Sequence, residues 1–581
     1  MVFTAPSWTP QLGDIPNVSL VDFMFDEQYG RASFDTSLPA YVCATSGAII
    51  SARELKRRVE ALAKGLASEL GWQVNVGSEL DKVVGIFALN TVDVPTLTWA
   101  IHRLNGVCAP VNAAFTESEL AQQLVNSKAK VLFTVWPLLG IALQAAKRCG
   151  IPERRIYICD MHKTEGFTTY LGYTTISELL AKGVSAPEID IIKWTPGQSK
   201  RQVAFLSHSS GTSGAPKMAM ISHHNLIANV MQLTLFEQTG RGGPDHREVV
   251  LGLLPHSHIY GVVVISHLST YRGDSVVVLP RFSMKKMLES VSKYRISALN
   301  VVPPIIVTMS KNQGLLQQYD LSSIRTVVSG GAPLSEDTVR GIQTHYPEWV
   351  LRQAYGLTEA AGCACHTSAH DPLAGSSGSV IPGVQVTLFD ESGLEITAYD
   401  QIGEIWIQSP SIILGYFDDQ VATKETIKED ETGRWLKTGD IGCFRKSMGS
   451  NSVTDNEHIF IIDRIKELIK VKGYQVVPSE LEQLLLTHPA VAECAVIGIK
   501  DAAVGEVPRA YIQRSSDSAA MSNVDLSKDL HRLVQGHKAK FKWLQGGIIF
   551  MESIPKSPSG KTLRRLIRNE ADAEVAVTAK L

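Results

Sequence analysis

Ser209, Ser210, Gly211, Thr212, Ser213, Gly214, Ala215, Pro216 and Lys217 form a glycine- and hydroxyl-rich stretch that ends in a lysine. Glycines let backbone N–H groups converge on an anion, hydroxyls add donors, and the lysine contributes a point charge. That chemistry suits a polyphosphate. The spacing is not that of the nucleoside-triphosphatase P-loop. Ala215 and Pro216 separate Gly214 from Lys217, and Met218 follows the lysine where Ser or Thr would bind a metal.

Such a loop needs a frame. It follows Val203, Ala204, Phe205 and Leu206, an apolar run that reads as a strand. Residues 51–70 place Leu55, Val59, Leu62 and Leu66 near one face, the pattern of an amphipathic helix. Strand candidates lie at 83–89, 131–135, 276–279 and 298–302, with a connecting helix at 283–294. Strands joined by helices predict α/β layers. After about residue 382 the texture changes to short strands, 386–389 and 403–407, in a β-rich subdomain at about 382–463. Residues 443–457 read as a solvent-facing loop, and a strand at 459–464 ends in Asp463 and Arg464. A boundary there divides a large domain, 1–463, from a smaller one, 464–581, with a helix at 478–486 and a strand at 492–499.

Composition excludes some classes. The 581 residues include 56 basic and 58 acidic side chains, a formal charge of -2, so no basic footprint for nucleic acid is present. Eight cysteines in this length make no disulfide scaffold, and free thiols in a reducing setting are expected. The first residues lack a secretory pattern, and apolar windows such as 262–268 are too short for a transmembrane segment. Ala579, Lys580 and Leu581 resemble a peroxisomal carboxy-terminal address, and 571–578 has no core signature that would hide it. Peroxisomal import through its receptor is expected, with cytoplasm as the alternative.

Seven dispersed stretches resemble, in order and spacing, the motifs of the adenylate-forming superfamily of acyl- and aryl-CoA ligases, adenylation domains and firefly luciferase. They are 209–217, 254–261, 329–334, 355–359, 438–440, 463–482 and 555–561. The run from Asp463 to Gln475 is most similar to 4-coumarate–CoA ligases and luciferases. The resemblance spans nearly the whole chain. It implies a large multi-layer α/β domain, a β-rich subdomain and a small mobile α+β domain. It also implies a reaction in which a carboxylate attacks the α-phosphate of Mg-ATP, releasing pyrophosphate, and coenzyme A then takes the acyl group from the adenylate.

The resemblance also distributes roles. Ser209 to Lys217 would hold the β- and γ-phosphates, Thr358 the α-phosphate, and Glu359 the Mg²⁺ ion. Tyr355 and Gly356 with Gly330 and Gly331 would flank adenine, Asp440 would accept the ribose hydroxyls, and Arg464 would donate near ribose and phosphates. Lys561 would bring a cation to the phosphorus during adenylation, with Gln475 assisting. His258 would orient the substrate carboxylate. Lys466 is the hinge position, about which Lys470, Lys472 and Gly473 turn toward CoA in the second half-reaction. Tyr260, Gly330, Ala354 and Cys363 are pocket candidates. Met218, Ala354, and the Gly362–Cys363 pair depart from the commoner glycine, glycine and proline–valine, so 4-coumarate itself is not assigned. The expectation is ligation of a hydrophobic aromatic or medium-chain acid to CoA. The alternative acceptor is a carrier protein.

Overall fold

The structure is a computed structural model, and it describes residues 1–161, 172–209, 217–243, 245–447, 456–472, 474–501, 504–515, 521–556 and 562–578, with the side chains of 572–578 excepted. Ser210, Gly211, Thr212, Ser213, Gly214, Gly473, Lys561 and the final tripeptide therefore lie outside the described residues.

Two largely parallel sheets form the body of the protein. In the first, the strands Val131–Thr134, Val83–Phe87, Val107–Val111 and Val203–Ser209 run side by side. Lys217–Ser222 returns antiparallel to the last of these, so the phosphate-loop segment joins two paired strands. The second sheet places Val249–Gly252, Ala298–Val301, Thr326–Gly330 and Val350–Leu357 in parallel succession, with Gly362–His366 folding back antiparallel. These strands are buried on both faces and are correspondingly apolar.

The helix Ala52–Leu70 starts at Ser51, whose side chain accepts from the Glu54 N–H, and stops at Gly71 in the left-handed conformation. It crosses the helix Ile176–Ser185 closely, because a Cβ on Gly65 would lie 2.1 Å from the Leu179 carbonyl oxygen. The β-rich part is antiparallel: Gln385–Phe389, Gly403–Gln408, Gly433–Lys446 and Glu457–Arg464 pair in turn. Beyond it, Ile469–Val471, Gly505–Arg514 and Val491–Asp501 build a separate sheet covered by the helices Pro478–Leu486 and Asn523–His537. That sheet has its own core around Val496, Leu481 and Leu530.

Two expectations need correction. Residues 443–446 are the end of a strand and not a loop. Cys443 is buried, and Ser447 and Asn456 are buried against Asp371, with Asn456 Oδ1 also accepting from the Trp8 indole at 3.0 Å. Residues 448–455, which carry most of the polar composition behind the loop reading, lie outside the described residues. Residues 571–578 also differ from expectation: they continue the helix Arg564–Thr578, with Ala571 packed beside Ile567 and Tyr511.

Candidate active site

The C-terminal ends of Thr326–Gly330 and Val350–Leu357 lie adjacent, pairing Gly330 with Ala354. The Tyr355 hydroxyl donates to Asp440 Oδ2 at 2.8 Å, and Asp440 Oδ1 receives Arg464 Nε at 3.0 Å. These three residues come from the second parallel sheet and two β-rich strands. Burial raises the Tyr355 phenol well above its ordinary value, reinforced by the Asp440 charge, so it stays a donor. Burial opposes the charge on Arg464, but Asp440 and Glu467 outweigh it and hold the guanidinium protonated. A carboxylate has about four acceptor positions, so two remain at Asp440 for a ribose diol.

Gly331 occupies the left-handed region at φ +87°, which a side chain would strain. At Gly330 a Cβ would stand 2.7 Å from the Tyr260 ring, so glycine lets that ring close against the strand. The Tyr260 hydroxyl in turn donates to the Val328 carbonyl at 3.3 Å.

Glu359 Oε1 accepts from the Tyr416 hydroxyl at 2.8 Å. Lys217 Nζ stands over the same Tyr416 ring, 5.1 Å from its centroid. Thus Lys217, Glu359 and, beside it in sequence, buried Thr358 converge although they leave different strands. Carboxylate and hydroxyl oxygens are the donor set that Mg²⁺ takes, so the residues present fit that ion. Met218 does not disturb this arrangement. Its side chain is buried among Val107, Val203 and Leu206, behind the strand.

A tunnel leaves this face for the interior of the second sheet. Its empty space, open solvent at the mouth included, is about 850 Å³. His258, Tyr260, Gly330, Ala354, Gly356 and Cys363 line its outer part. Cys363 is fixed by Asn229, which accepts from its N–H at 3.0 Å and donates to its carbonyl at 2.7 Å. Gly362 has φ +131°, unreachable for proline, and a Cβ there would lie 2.5 Å from Asn229 Oδ1. The departure from proline at this position is thus a different backbone path, not a simple exchange of side chains.

The other expected site residues are in the small domain. Gln475 is exposed and hydrogen-bonds to Glu391 of the β-rich part. Lys470 is exposed beside it on paired strands, and Lys472 adopts φ +50°. Lys466 sits in the short turn Ile465–Glu467 directly after Arg464. Tyr416 and Asn229 were not singled out from sequence. The signal available for Tyr416 was a Gly–Tyr pair ending an apolar run, Ile412, Ile413 and Leu414.

Comparison with known proteins gives this geometry its family. A model of AMP-binding enzymes matches residues 31–417, and one of the AMP-binding enzyme C-terminal domain matches 480–561. The chain belongs to the adenylate-forming superfamily, in its acyl- and aryl-CoA ligase branch. It is 39% identical over 570 residues to the acyl-CoA ligase easD of Emericella nidulans, covering 97% of this chain and 99% of that protein. It is 37% identical over 591 residues to the acyl-CoA ligase cm3C of Cordyceps militaris, covering 98% and 90%. ATP-bound MatB from Rhodopseudomonas palustris superposes with a TM-score of 0.75 at 25% identity, over 95% of this chain and 98% of MatB. The anthranilate CoA ligase AuaEII, bound to anthranoyl-AMP, shares the fold at TM-score 0.78 and 21% identity, over 96% and 98%. This adenylate-forming ligase therefore has the large α/β body and smaller α+β C-terminal domain of its superfamily.

Proposed function

We propose that this ligase activates a hydrophobic carboxylic acid, medium-chain or aromatic, with Mg-ATP and transfers the acyl group to coenzyme A. The observation that carries the reading is the meeting of two surfaces. The Tyr355, Asp440 and Arg464 network abuts a tunnel whose outer walls are Tyr260, Ala354 and Cys363. A carboxylate at the tunnel mouth lies where a nucleotide held by that network presents its α-phosphate. Mg²⁺ held by Glu359 would neutralise phosphate charge. Thr358 donates to the α-phosphate, Lys217 and its loop hold the outer phosphates, and His258 orients the carboxylate. Lys561 supplies a cation where charge develops on phosphorus, worth most in the transition state. For the second half-reaction the small domain turns about Lys466, bringing Lys470, Lys472 and Gly473 toward the thiol. AMP then leaves as the thioester forms.

The test is mass spectrometry of products from the purified protein with Mg-ATP, a broad carboxylate library, and either CoA or a phosphopantetheinyl carrier protein. Acyl-CoA from hydrophobic acids supports the reading. Acyl transfer to the carrier and none to CoA favours the stand-alone adenylation enzyme, and no AMP formation with any acid overturns both. We also infer peroxisomal residence from Ala579, Lys580 and Leu581. Deleting them should move an N-terminally tagged enzyme from puncta to cytosol. Cytosolic fluorescence of the undeleted protein, in cells importing a control cargo, would reject this location.

A further inference from the structure

The inner part of the tunnel differs from its outer walls. The strands run inward from Gly330 and Ala354, so residues two and four positions back face the same space. On Thr326–Gly330 these are Val328 and Thr326, and on Val350–Leu357 the next is Arg352; all line the tunnel. Two strand residues, roughly 7 Å, separate Gly330 and Ala354 from the level shared by Val328, Arg352 and Asn300, and four, roughly 13 Å, reach Thr326.

Over that span a purely hydrophobic tunnel would be lined with aliphatic side chains. This one ends in charge. Arg352 Nη1 pairs with Glu237 Oε1 at 3.1 Å, and Arg272 pairs with the other oxygen of Glu237. Arg241 bridges Glu248 at 2.9 Å and Asp274 at 2.7 Å. Three buried arginines thus face three carboxylates, none of the six side chains more than 10% exposed, and the half-exposed Arg325 reaches Glu248 from outside at 3.5 Å. Burial holds His366 neutral, with its pKa pushed down to about 4, so it adds no charge at neutral pH. Asn300 and Thr326 also line this end. One donor is left over: the Nε–H of Arg352 is buried with no hydrogen-bond acceptor among the described residues.

A buried donor without an acceptor costs free energy that a bound acceptor would recover. The six buried groups already balance one another, so a second carboxylate would bring a further negative charge into the interior with no buried partner left for it. We propose that the inner end of the tunnel is a receptor for a neutral oxygen acceptor, and that the preferred acid is a medium-chain acid bearing a hydroxyl or carbonyl near the end remote from its carboxylate. Arg352, with Asn300, is the specificity-determining element. The proposal rests on the acyl-CoA ligase reading above and narrows its substrate class.

The test compares decanoic acid with its terminally hydroxylated counterpart and with sebacic acid, which carries a second carboxylate. The readout is kcat/KM for CoA-thioester formation by the full-length enzyme. The hydroxy acid should exceed decanoic acid by at least ~10-fold, because a site built to hydrogen-bond an oxygen discriminates against the analogue lacking it. Sebacic acid should fall below the hydroxy acid. Arg352→Lys keeps the positive charge beside Glu237 but removes the Nε donor, and Asn300→Leu makes the same end apolar at similar size. Each should collapse the hydroxy preference to within ~3-fold while decanoic acid is still used. A purely structural role would instead lower both acids in proportion and leave their ratio intact. Equal or better use of decanoic acid by the unmodified enzyme overturns the proposal and leaves CoA ligation standing, as does a preference for sebacic acid. No thioester or AMP from any carboxylate, aromatic acids included, overturns the ligase reading and this proposal with it.

Discussion

Replacing Asp440 by Asn keeps the shape of the side chain and removes its charge. In the structure that carboxylate takes Tyr355 at 2.8 Å and Arg464 at 3.0 Å, and its side chain is 6% exposed. Breaking a buried ion pair costs about 3–5 kcal/mol, and the partial exposure of Arg464 argues for a smaller cost, about 2–3 kcal/mol of stability. The nucleotide loses more specifically. An amide offers one acceptor oxygen where two carboxylate oxygens faced the ribose diol, so one charge-assisted hydrogen bond worth about 1.5–3 kcal/mol disappears. That is about 10- to 150-fold in the KM for ATP. The ribose is remote from the reacting phosphorus, so kcat should change little. Tyr355→Phe is the matched control. It leaves the carboxylate in place, and the bond it deletes, though its acceptor is charged, is made to Asp440 and not to the nucleotide, so its effect on the ATP KM should be ~10-fold at most. Pyrophosphate release at varied ATP gives both constants, and a urea midpoint confirms folding. An ATP KM within ~2-fold of the unmodified enzyme in a folded Asp440→Asn protein would refute the ribose assignment. A larger effect from Tyr355→Phe than from Asp440→Asn would refute the charge argument.

Lys561→Ala should lower adenylate formation at least ~100-fold, on the scale of losing a strong transition-state donor, and should spare thioester formation from supplied acyl-adenylate; equal losses in the two assays would reject the role. Ala354→Gly removes a methyl from the tunnel wall beside Gly330. It should shift selectivity toward bulkier aromatic acids by about 1–3 kcal/mol or less, read as ratios of kcat/KM across matched acids, with an unchanged profile counting against it. Acid should destabilise the protein through its buried histidines. His267 donates from Nδ1 to the Val262 carbonyl at 2.8 Å and accepts from the Trp99 indole at its other nitrogen at 3.1 Å, so a second ring proton would break a hydrogen bond. Burial pushes His267 and His256 down to about 4 from an ordinary 6.5. The unfolded chain therefore takes up protons first, and stability is lost as pH falls from about 6.5 toward 4. The urea midpoint should be lower at pH 5 than at pH 7; a flat or rising midpoint would contradict the assignment.

The elements were legible where a single period ran unbroken. The helix Ala52–Leu70 carried both its apolar spacing and its Ser51 cap, and the parallel strands announced themselves as apolar runs. The candidate nucleotide-binding residues could be proposed from sequence for a related reason. Asp440, Arg464, Thr358 and Glu359 sit in short motifs whose order along the chain carries the family likeness. Where polar residues satisfy one another across long sequence separations, local reading failed. Ser447 and Asn456 read as solvent-facing, yet they are buried against Asp371, whose distance along the chain no local pattern reports.

The tunnel shows the same division more sharply. Tyr260, Ala354 and Cys363 were found because motifs flank them. Glu237, Arg241, Arg272 and Arg352 were not, because no motif flanks them and they come from three separate parts of the chain. Residue order along the chain sufficed for the reaction class, since phosphate, ribose and metal need particular atoms that recur in compact motifs. The far end of the tunnel was settled by folding alone, since only packing helix and strands around one space brings those charges within hydrogen-bonding distance and shuts out the water that would otherwise screen them.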